Sequence, residues 1–213
     1  MLYNFKFFAL AYLNDWWQYD RNFASGLHPQ GSSRRESLVK AATYYQVIRL
    51  FPKAQDTSAR LNNALNQLDG ALSGSSTIVT PSNVDSIVTT LATKLGLAYK
   101  RKSSKAAELT SAASKFLWIR RRSPVVIFDS RAHRCLIRMN ALPGETYDTF
   151  RKAWLAEFQT YETQIRSACH GLRSSGVKDF APDSKAKSGV KSLLHQRWFH
   201  ERVFDKFLWW NGG

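Results

Sequence analysis

Lys115 and Asp129 are the two residues whose types and spacing could do chemistry. Lys115 follows Ser114 and opens the apolar run Phe116–Ile119, whereas Asp129 ends the uncharged segment Val125–Phe128. A lysine amine can act as a nucleophile, and a carboxylate can accept a proton or stabilise a developing positive charge. This stretch of the chain is therefore the first candidate for a site.

The chain around these two residues is strongly basic. Lys94–Arg138 contains 12 basic residues and 2 acids, which gives +10 of the formal net charge of +15 carried by the 213-residue chain. Such a surface indicates a polyanionic partner, and aromatic side chains can stack on bases. We expect the partner to be double-stranded DNA. The residues expected to contact it are Lys100, Arg101, Lys102, Lys105, Arg120, Arg121, Arg122, Ser130, Arg131 and Arg134.

The rest of the composition excludes several classes of protein. Two cysteines, Cys135 and Cys169, are too few for a disulfide framework, a four-thiolate zinc site or a four-cysteine iron–sulfur cluster. We therefore expect no metal and no cofactor. The apolar stretch Met1–Leu13 is interrupted by Lys6 and is too short to cross a bilayer. We expect a cytoplasmic protein that associates with the nucleoid through DNA, with no membrane and no obligate protein partner.

Helical periodicity recurs along nearly the whole chain, and no β-hairpin pattern is present. The expected helices include a first one from about Leu2 to Phe23, a long one from about Tyr147 to Leu172 and a last one from Val190 to Trp210. A polar, basic loop is expected over Ser174–Gly189. In the last helix, Arg202 and Asp205 are spaced so that they can pair across one turn. The other expected helices start near Glu36, Thr57, Asn83, Ser104 and Ser130. The helix that starts near Glu36 is expected to stop at Pro52, and the helix that starts near Asn83 is expected to stop at Gly96.

These elements predict an all-α fold, a compact bundle of about seven to eight helices with a helix-hairpin-helix-like element around residues 104–138. The simplest organisation is one domain over residues 1–213. An alternative has two helical lobes with a cleft between them, one of about 1–75 plus the C-terminal helix and one of about 76–175. Lys115 is expected on a helix that Ser123–Pro124 breaks, and Asp129 or Ser130 is expected to cap the next helix.

Three short stretches resemble, in order and character, the helix-hairpin-helix DNA glycosylases, the 8-oxoguanine glycosylase branch included. They are Ser114-Lys115-Phe116-Leu117, Val125-Val126-Ile127-Phe128-Asp129 and Arg131-Ala132-His133-Arg134. In that superfamily a hairpin leads to a lysine that opens a helix, and an extended apolar stretch leads to an aspartate that caps the next helix. The resemblance covers roughly residues 109–138. It implies an enzyme that flips a damaged or modified base out of DNA and cleaves its N-glycosidic bond, in repair or in defence against modified foreign DNA.

By this resemblance, Asp129 is the carboxylate that stabilises the sugar cation and orients or deprotonates the nucleophile. Lys115 is the amine that could attack C1′ and form a Schiff base. The hairpin of the resemblance is Thr110–Ser114, which lacks glycine, and the interval from Lys115 to Asp129 is shorter than the family leads us to expect. We therefore expect a monofunctional hydrolase that leaves the DNA strand intact.

Two other functions stay open. The same basic stretch would serve a non-catalytic DNA- or RNA-binding protein, in which Asp129 is a helix cap and nothing more. Arg21 and His28 have the loose spacing of an all-α ribonuclease that places an arginine and a histidine on one helix, although Gly26 and Pro29 make that match poor. His133 is expected to be a surface histidine with a satisfied ring.

Overall fold

The computed structural model describes residues 3–31, 33–48, 57–72, 78–98, 106–141, 143–175 and 184–213. Within these ranges every regular element is helical and no strand is present, which confirms the all-α class. None of the helices found there is both long enough and apolar enough to cross a bilayer. In chain order the elements are α1 (Phe5–Asp15), a π-helical turn (Trp16–Asp20), α2 (Arg21–Gly26), α3 (Arg34–Tyr44), α4 (Thr57–Gly70), α5 (Val84–Ala98), α6 (Ala106–Arg121), α7 (Ser130–Arg138), α8 (Tyr147–Ser175), α9 (Ser184–Leu193) and α10 (Arg197–Asn211).

The chain divides into two compact units, which we call the terminal unit and the central unit. The terminal unit comprises Met1–Trp17 and Asp129–Gly213, and the central unit comprises Gln18–Phe128. This division differs from the two expected lobes. Helix α1 packs against α8 and α10, whereas α2 to α6 pack against one another. Helices α2, α3 and α4 consequently group with α5 and α6 rather than with the C-terminal helix.

The core of the terminal unit is aromatic. One face of α8 is an apolar stripe, because Phe150, Trp154 and Phe158 recur every fourth residue and are completely buried. Trp154 stacks on Phe158 with ring centres 5.3 Å apart and meets Phe204 of α10 edge-on at 5.2 Å. Offset and edge-on ring pairs of this kind add to the stabilisation that apolar burial gives.

The core of the central unit is built around α6. Every residue from Ala112 to Ile119 is buried, so this helix is enclosed on all sides rather than amphipathic. Helix α5 packs along it, and Gly96 makes the close approach possible. A Cβ at that position would lie 2.6 Å from Cδ1 of Leu109. The expectation that Gly96 ends its helix is wrong, since α5 continues to Ala98.

Several helix boundaries differ from the sequence expectations. Helix α3 ends at Tyr44, well before Pro52, because Gln46 takes a left-handed φ of 58° and the Val47 N–H closes the helix end on the Ala42 carbonyl at 2.8 Å. The first helix is interrupted by the π-helical turn and ends at Gly26.

The expected last helix, Val190 to Trp210, is two helices, α9 and α10. The chain turns between them, and the His200 ring nitrogen Nε2 lies 2.8 Å from the Leu194 carbonyl oxygen in this turn. Part of the expected loop Ser174–Gly189 is helical, since α8 extends to Ser175 and α9 begins at Ser184. Residues 176–183 lie outside the described ranges.

Candidate functional site

Asp129 caps helix α7, as expected. Its backbone is extended, with φ −136° and ψ 136°, and its Oδ1 accepts a 2.9 Å hydrogen bond from the Arg131 N–H. A carboxylate at this position is stabilised by the amide groups of the first turn and by the positive end of the helix dipole. Asp129 is partly exposed. The segment Val125–Phe128 that precedes it is extended, as expected, and is buried.

Ser114 holds that extended segment against α6. Its Oγ accepts a 3.0 Å hydrogen bond from the Phe128 N–H and donates to the Ser111 carbonyl at 3.1 Å. The residue before Asp129 is therefore fixed by a buried hydrogen bond that its N–H donates to a serine fourteen positions earlier in the chain. Ser114 and the Val125–Phe128 segment both belong to the stretches that carry the resemblance. Their hydrogen bond gives this pairing a structural role within the central unit.

Two arginines on the exposed side of α7 reach the end of α10. Arg134 Nε donates to the Gly212 carbonyl at 3.0 Å, and Arg138 Nη1 donates to the Asn211 carbonyl at 2.7 Å. These partners are neutral, so they orient the guanidinium groups without cancelling their charge. Arg138 was not among the residues expected to contact DNA. Its position one turn after Arg134 is the signal that could have identified it.

Arg131 and Ser130 lie in the first turn of α7, before Arg134 and Arg138. The Arg131 guanidinium lies 4.2 Å from the centre of the Trp209 ring, a cation–π contact that again leaves the positive charge in place. Ser130 is exposed at the first position of the helix. The expected contact residues Ser130, Arg131 and Arg134 therefore share one helix with Asp129. We call Arg131, Arg134 and Arg138 the α7 arginines.

A second carboxylate, Asp205, is buried in the terminal unit and was outside the predicted site. Its Oδ1 accepts a hydrogen bond from Trp154 Nε1 at 2.8 Å, and its Oδ2 accepts one from Arg202 Nη1 at 2.9 Å, which confirms the expected pairing of Arg202 with Asp205. Burial raises the pKa of Asp205 to about 6, although Arg202 and Trp154 act to lower it, and the charge of Asp129 adds to the increase. Sequence spacing could not indicate the contact with Trp154, because the two residues are 51 positions apart in the chain.

Lys115 is buried in the middle of α6, where its side chain makes an internal contact. It is 5 % exposed, and its Nζ donates to the Tyr45 carbonyl at 3.3 Å. The Tyr45 hydroxyl in turn donates to Oδ1 of Asp20 at 2.8 Å, and Asp20 is also buried. Lys115 lies within a helix, as expected, and not at the start of one as the resemblance implied. Its amine is a hydrogen-bond donor in the core of the central unit.

The hairpin expected at Thr110–Ser114 is helical. These residues lie within α6, which runs without a break from Ala106 to Arg121. The segment contains no glycine or proline that would end a helix, and its two alanines favour helix formation. The structure over 106–138 is therefore two helices joined by the connection 122–129, without a tight hairpin before Lys115.

Arg120 is engaged inside the central unit rather than presented at the surface, contrary to expectation. Its side chain is 5 % exposed, and its Nη1 donates to the Leu27 carbonyl at 2.9 Å and to Oδ1 of Asp69 at 2.8 Å. Arg34 also pairs with Asp69, at 2.7 Å. Partial burial acts to raise the pKa of Asp69, but the hydrogen bonds and charges of Arg120 and Arg34 outweigh it, so this pKa lies below its usual value.

The other expected DNA contacts in the central unit have mixed outcomes. Arg121 is exposed, and Arg122 is partly exposed with a left-handed φ of 54° just after the end of α6. Both stay predictions as DNA contacts. The cluster Lys100, Arg101, Lys102 and Lys105 lies outside the described residues.

The structure describes the surroundings of His133 and of the pair Arg21 and His28. His133 Nε2 lies 3.3 Å from the Gly144 carbonyl oxygen, and its ring stacks on Phe150 at 6.1 Å, as expected for a satisfied histidine. Arg21 and His28 do not share a helix, because α2 ends at Gly26. This removes the helical arrangement on which the ribonuclease alternative depended.

The thiols and acids show no sign of a metal centre in the part of the chain that the structure describes. No group of three or more histidine, cysteine, aspartate or glutamate side chains there could hold a metal ion. Burial raises the pKa of Cys135 to about 11 and that of Cys169 to about 12, so neither thiol is ionised near neutral pH.

Comparisons with known proteins add no relative to this picture. No protein-family model, curated protein or solved structure matches the chain.

Proposed function

We propose that this chain is a monofunctional DNA glycosylase, in which Asp129 stabilises the sugar cation while the α7 arginines bind the DNA backbone. One observation carries the proposal. A partly exposed carboxylate begins a helix whose arginines are oriented by neutral partners and so keep their charge for phosphates. An acid beside a phosphate-binding surface is what cleavage of an N-glycosidic bond in DNA requires.

The chemistry assigned to Asp129 is electrostatic. Breaking the bond between base and sugar leaves positive charge on the sugar, and a carboxylate held by a helix start can face that charge without reorganising. The same carboxylate can orient a water molecule or accept its proton as the water attacks C1′. The hydrogen bond from the Arg131 N–H to Oδ1 fixes the side chain for this role.

Lys115 has no nucleophilic role in this proposal, because its amine is buried and engaged with the Tyr45 carbonyl. We expect borohydride added during turnover to trap no covalent enzyme–DNA adduct, since a hydrolytic route has no reducible Schiff base. The same burial predicts that Lys115→Ala lowers the free energy of unfolding by about 1–3 kcal/mol through lost packing and a lost hydrogen bond. Gel analysis of borohydride-treated reactions and urea unfolding check the two expectations. An adduct formed by the wild type and absent in Lys115→Gln would assign the lysine to catalysis after all.

The α7 arginines predict a salt-dependent interaction with duplex DNA. Replacing Arg134 and Arg138 by alanine should flatten the slope of log K against log salt by roughly 0.9 for each phosphate contact that is lost. The double replacement by lysine keeps both charges and should preserve most of the slope. Fluorescence anisotropy of a labelled duplex at several salt concentrations measures it.

Lys152 offers a matched control for that measurement, because it lies in the same unit and already pairs with Asp148 at 2.7 Å. Lys152→Ala should leave the slope unchanged. If the Arg134/Arg138 alanine variant is folded and has the wild-type slope, the α7 arginines are not the DNA contact.

A second candidate function is non-catalytic nucleic-acid binding. The observation that favours it is the hydrogen bond from the Arg131 N–H to Asp129, since this contact by itself gives the aspartate a structural purpose. The two functions separate in one experiment. Duplexes that each carry a different damaged or modified base are incubated with the protein and assayed for abasic sites. A glycosylase produces abasic sites in intact strands with at least one of them, whereas a passive binder shifts the duplexes and changes none.

A further inference from the structure

The terminal unit has an exposed aromatic patch that the proposed function does not use. It consists of Tyr3, Phe7 and Trp210, with exposed fractions of 46 %, 40 % and 55 %. Phe7 on α1 meets Trp210 on α10 edge-on, with ring centres 5.6 Å apart, and Tyr3 lies 5.2 Å from the ring of Phe207. We call Tyr3, Phe7 and Trp210 the aromatic patch. Neighbouring rings hold it in place while its own rings remain open to solvent.

Positive charge lies next to this patch, on α1 and on α7. Lys6 is exposed on α1, next to Phe7 in the chain. On α10, Arg138 donates to the carbonyl of Asn211, the residue that follows Trp210. Trp209, the residue before Trp210, lies under the Arg131 guanidinium at 4.2 Å. Lys206 lies 5.8 Å from the same ring, but its charge is paired with Asp15.

We propose that the aromatic patch binds the unpaired bases of single-stranded nucleic acid. Every base has a flat face that can stack on an exposed ring, and the phosphates of the same strand can reach the adjacent cations. Trp210 is the most exposed of the three rings and gives the largest stacking surface. A cation–π contact holds Arg131 against Trp209, the residue before Trp210.

Charge complementarity selects this occupant over a second copy of the chain. Two copies would bring together the same cations, Lys6, Arg131 and Arg138, whereas a nucleic-acid strand neutralises them. The stacking surface does not depend on Asp129. Asp129→Asn should therefore leave single-strand binding unchanged, whether or not base excision occurs at that residue.

The test compares single-stranded and duplex binding by fluorescence anisotropy with fluorescein-labelled oligothymidine, oligouridine and a mixed-sequence duplex. Trp210→Ala should weaken binding to at least one single-stranded probe by roughly 5- to 100-fold, and it should change duplex binding by less than about twofold. Phe7→Ala should act in the same direction. Trp210→Tyr retains a ring and should recover most of the affinity, whereas Trp210→Leu retains apolar area without a ring face and should not.

Tyr19 provides a matched control, because it is an exposed aromatic residue, at 39 %, in the central unit. Tyr19→Ala should leave single-strand affinity at the wild-type value. The proposal is overturned if Trp210→Ala, folded by circular dichroism, binds both single strands as the wild type does. It is equally overturned if single-strand and duplex affinity fall by the same factor, or if sedimentation shows a wild-type dimer that Trp210→Ala dissociates.

Discussion

Replacing Asp129 by asparagine is expected to slow base excision by about 100- to 1,000-fold while duplex affinity changes by less than about twofold. The carboxylate faces positive charge that develops in the transition state and is absent in the bound substrate, so its loss lowers turnover rather than binding. Single-turnover release of the base, measured with the duplex that proves to be the best substrate, gives the rate. The affinity comes from anisotropy on the same duplex.

Asparagine is the informative replacement because its side-chain oxygen can still accept the hydrogen bond from the Arg131 N–H. Asp129→Ala removes that cap and should also cost about 0.5–2 kcal/mol of stability. Asp148 is a matched control, since it is an acid in the first turn of α8 in the same unit. Asp148→Asn should excise at the wild-type rate. If Asp129→Asn is folded and also excises at that rate, Asp129 is a cap and the passive binder is the better account.

Asp205→Ala is expected to lower the free energy of unfolding by about 3–5 kcal/mol, the largest stability effect that we predict. The substitution takes the carboxylate away from the buried Arg202 guanidinium and the Trp154 indole N–H, both of which it binds in the wild type. A buried positive charge without its carboxylate is costly, and a loss of this size is a large share of the stability of a small protein. Urea unfolding followed by tryptophan fluorescence measures the change.

The Asp205 carboxyl also predicts how stability depends on pH. Its folded pKa, about 6, is above its ordinary value of 3.8, so the additional stability that comes from protonation of this carboxyl is fully present below pH 3.8 and is lost as the pH rises through about 6. Asp205→Asn keeps an acceptor for Trp154 and does not titrate. The stability of the wild type relative to this variant should therefore fall by roughly 2–3 kcal/mol between about pH 4 and pH 7. The prediction is wrong if the pH profiles of the two proteins run parallel, because this carboxyl then does not titrate in that range.

The sequence by itself determined the features that depend on neighbouring residues. The all-α class and the stripe of α8 follow from apolar residues at helical spacing. Asp129 caps α7, because a cap needs only the side chain and the amide groups of the next turn. Arg202 pairs with Asp205 for the same reason, since residues three apart on a helix are neighbours.

The tertiary structure alone decided which side chains are inside and what they contact. Lys115 is buried because α6 is enclosed by other helices, and its partner Tyr45 is 70 residues away in the chain. Arg120 lies in a basic run of the kind that is typical of a protein surface. It is nevertheless buried, because it pairs with Asp69, which is 51 residues away in the chain. Local periodicity carries no information about such distant partners. The same side chain is therefore a phosphate ligand or a core contact according to how the helices pack.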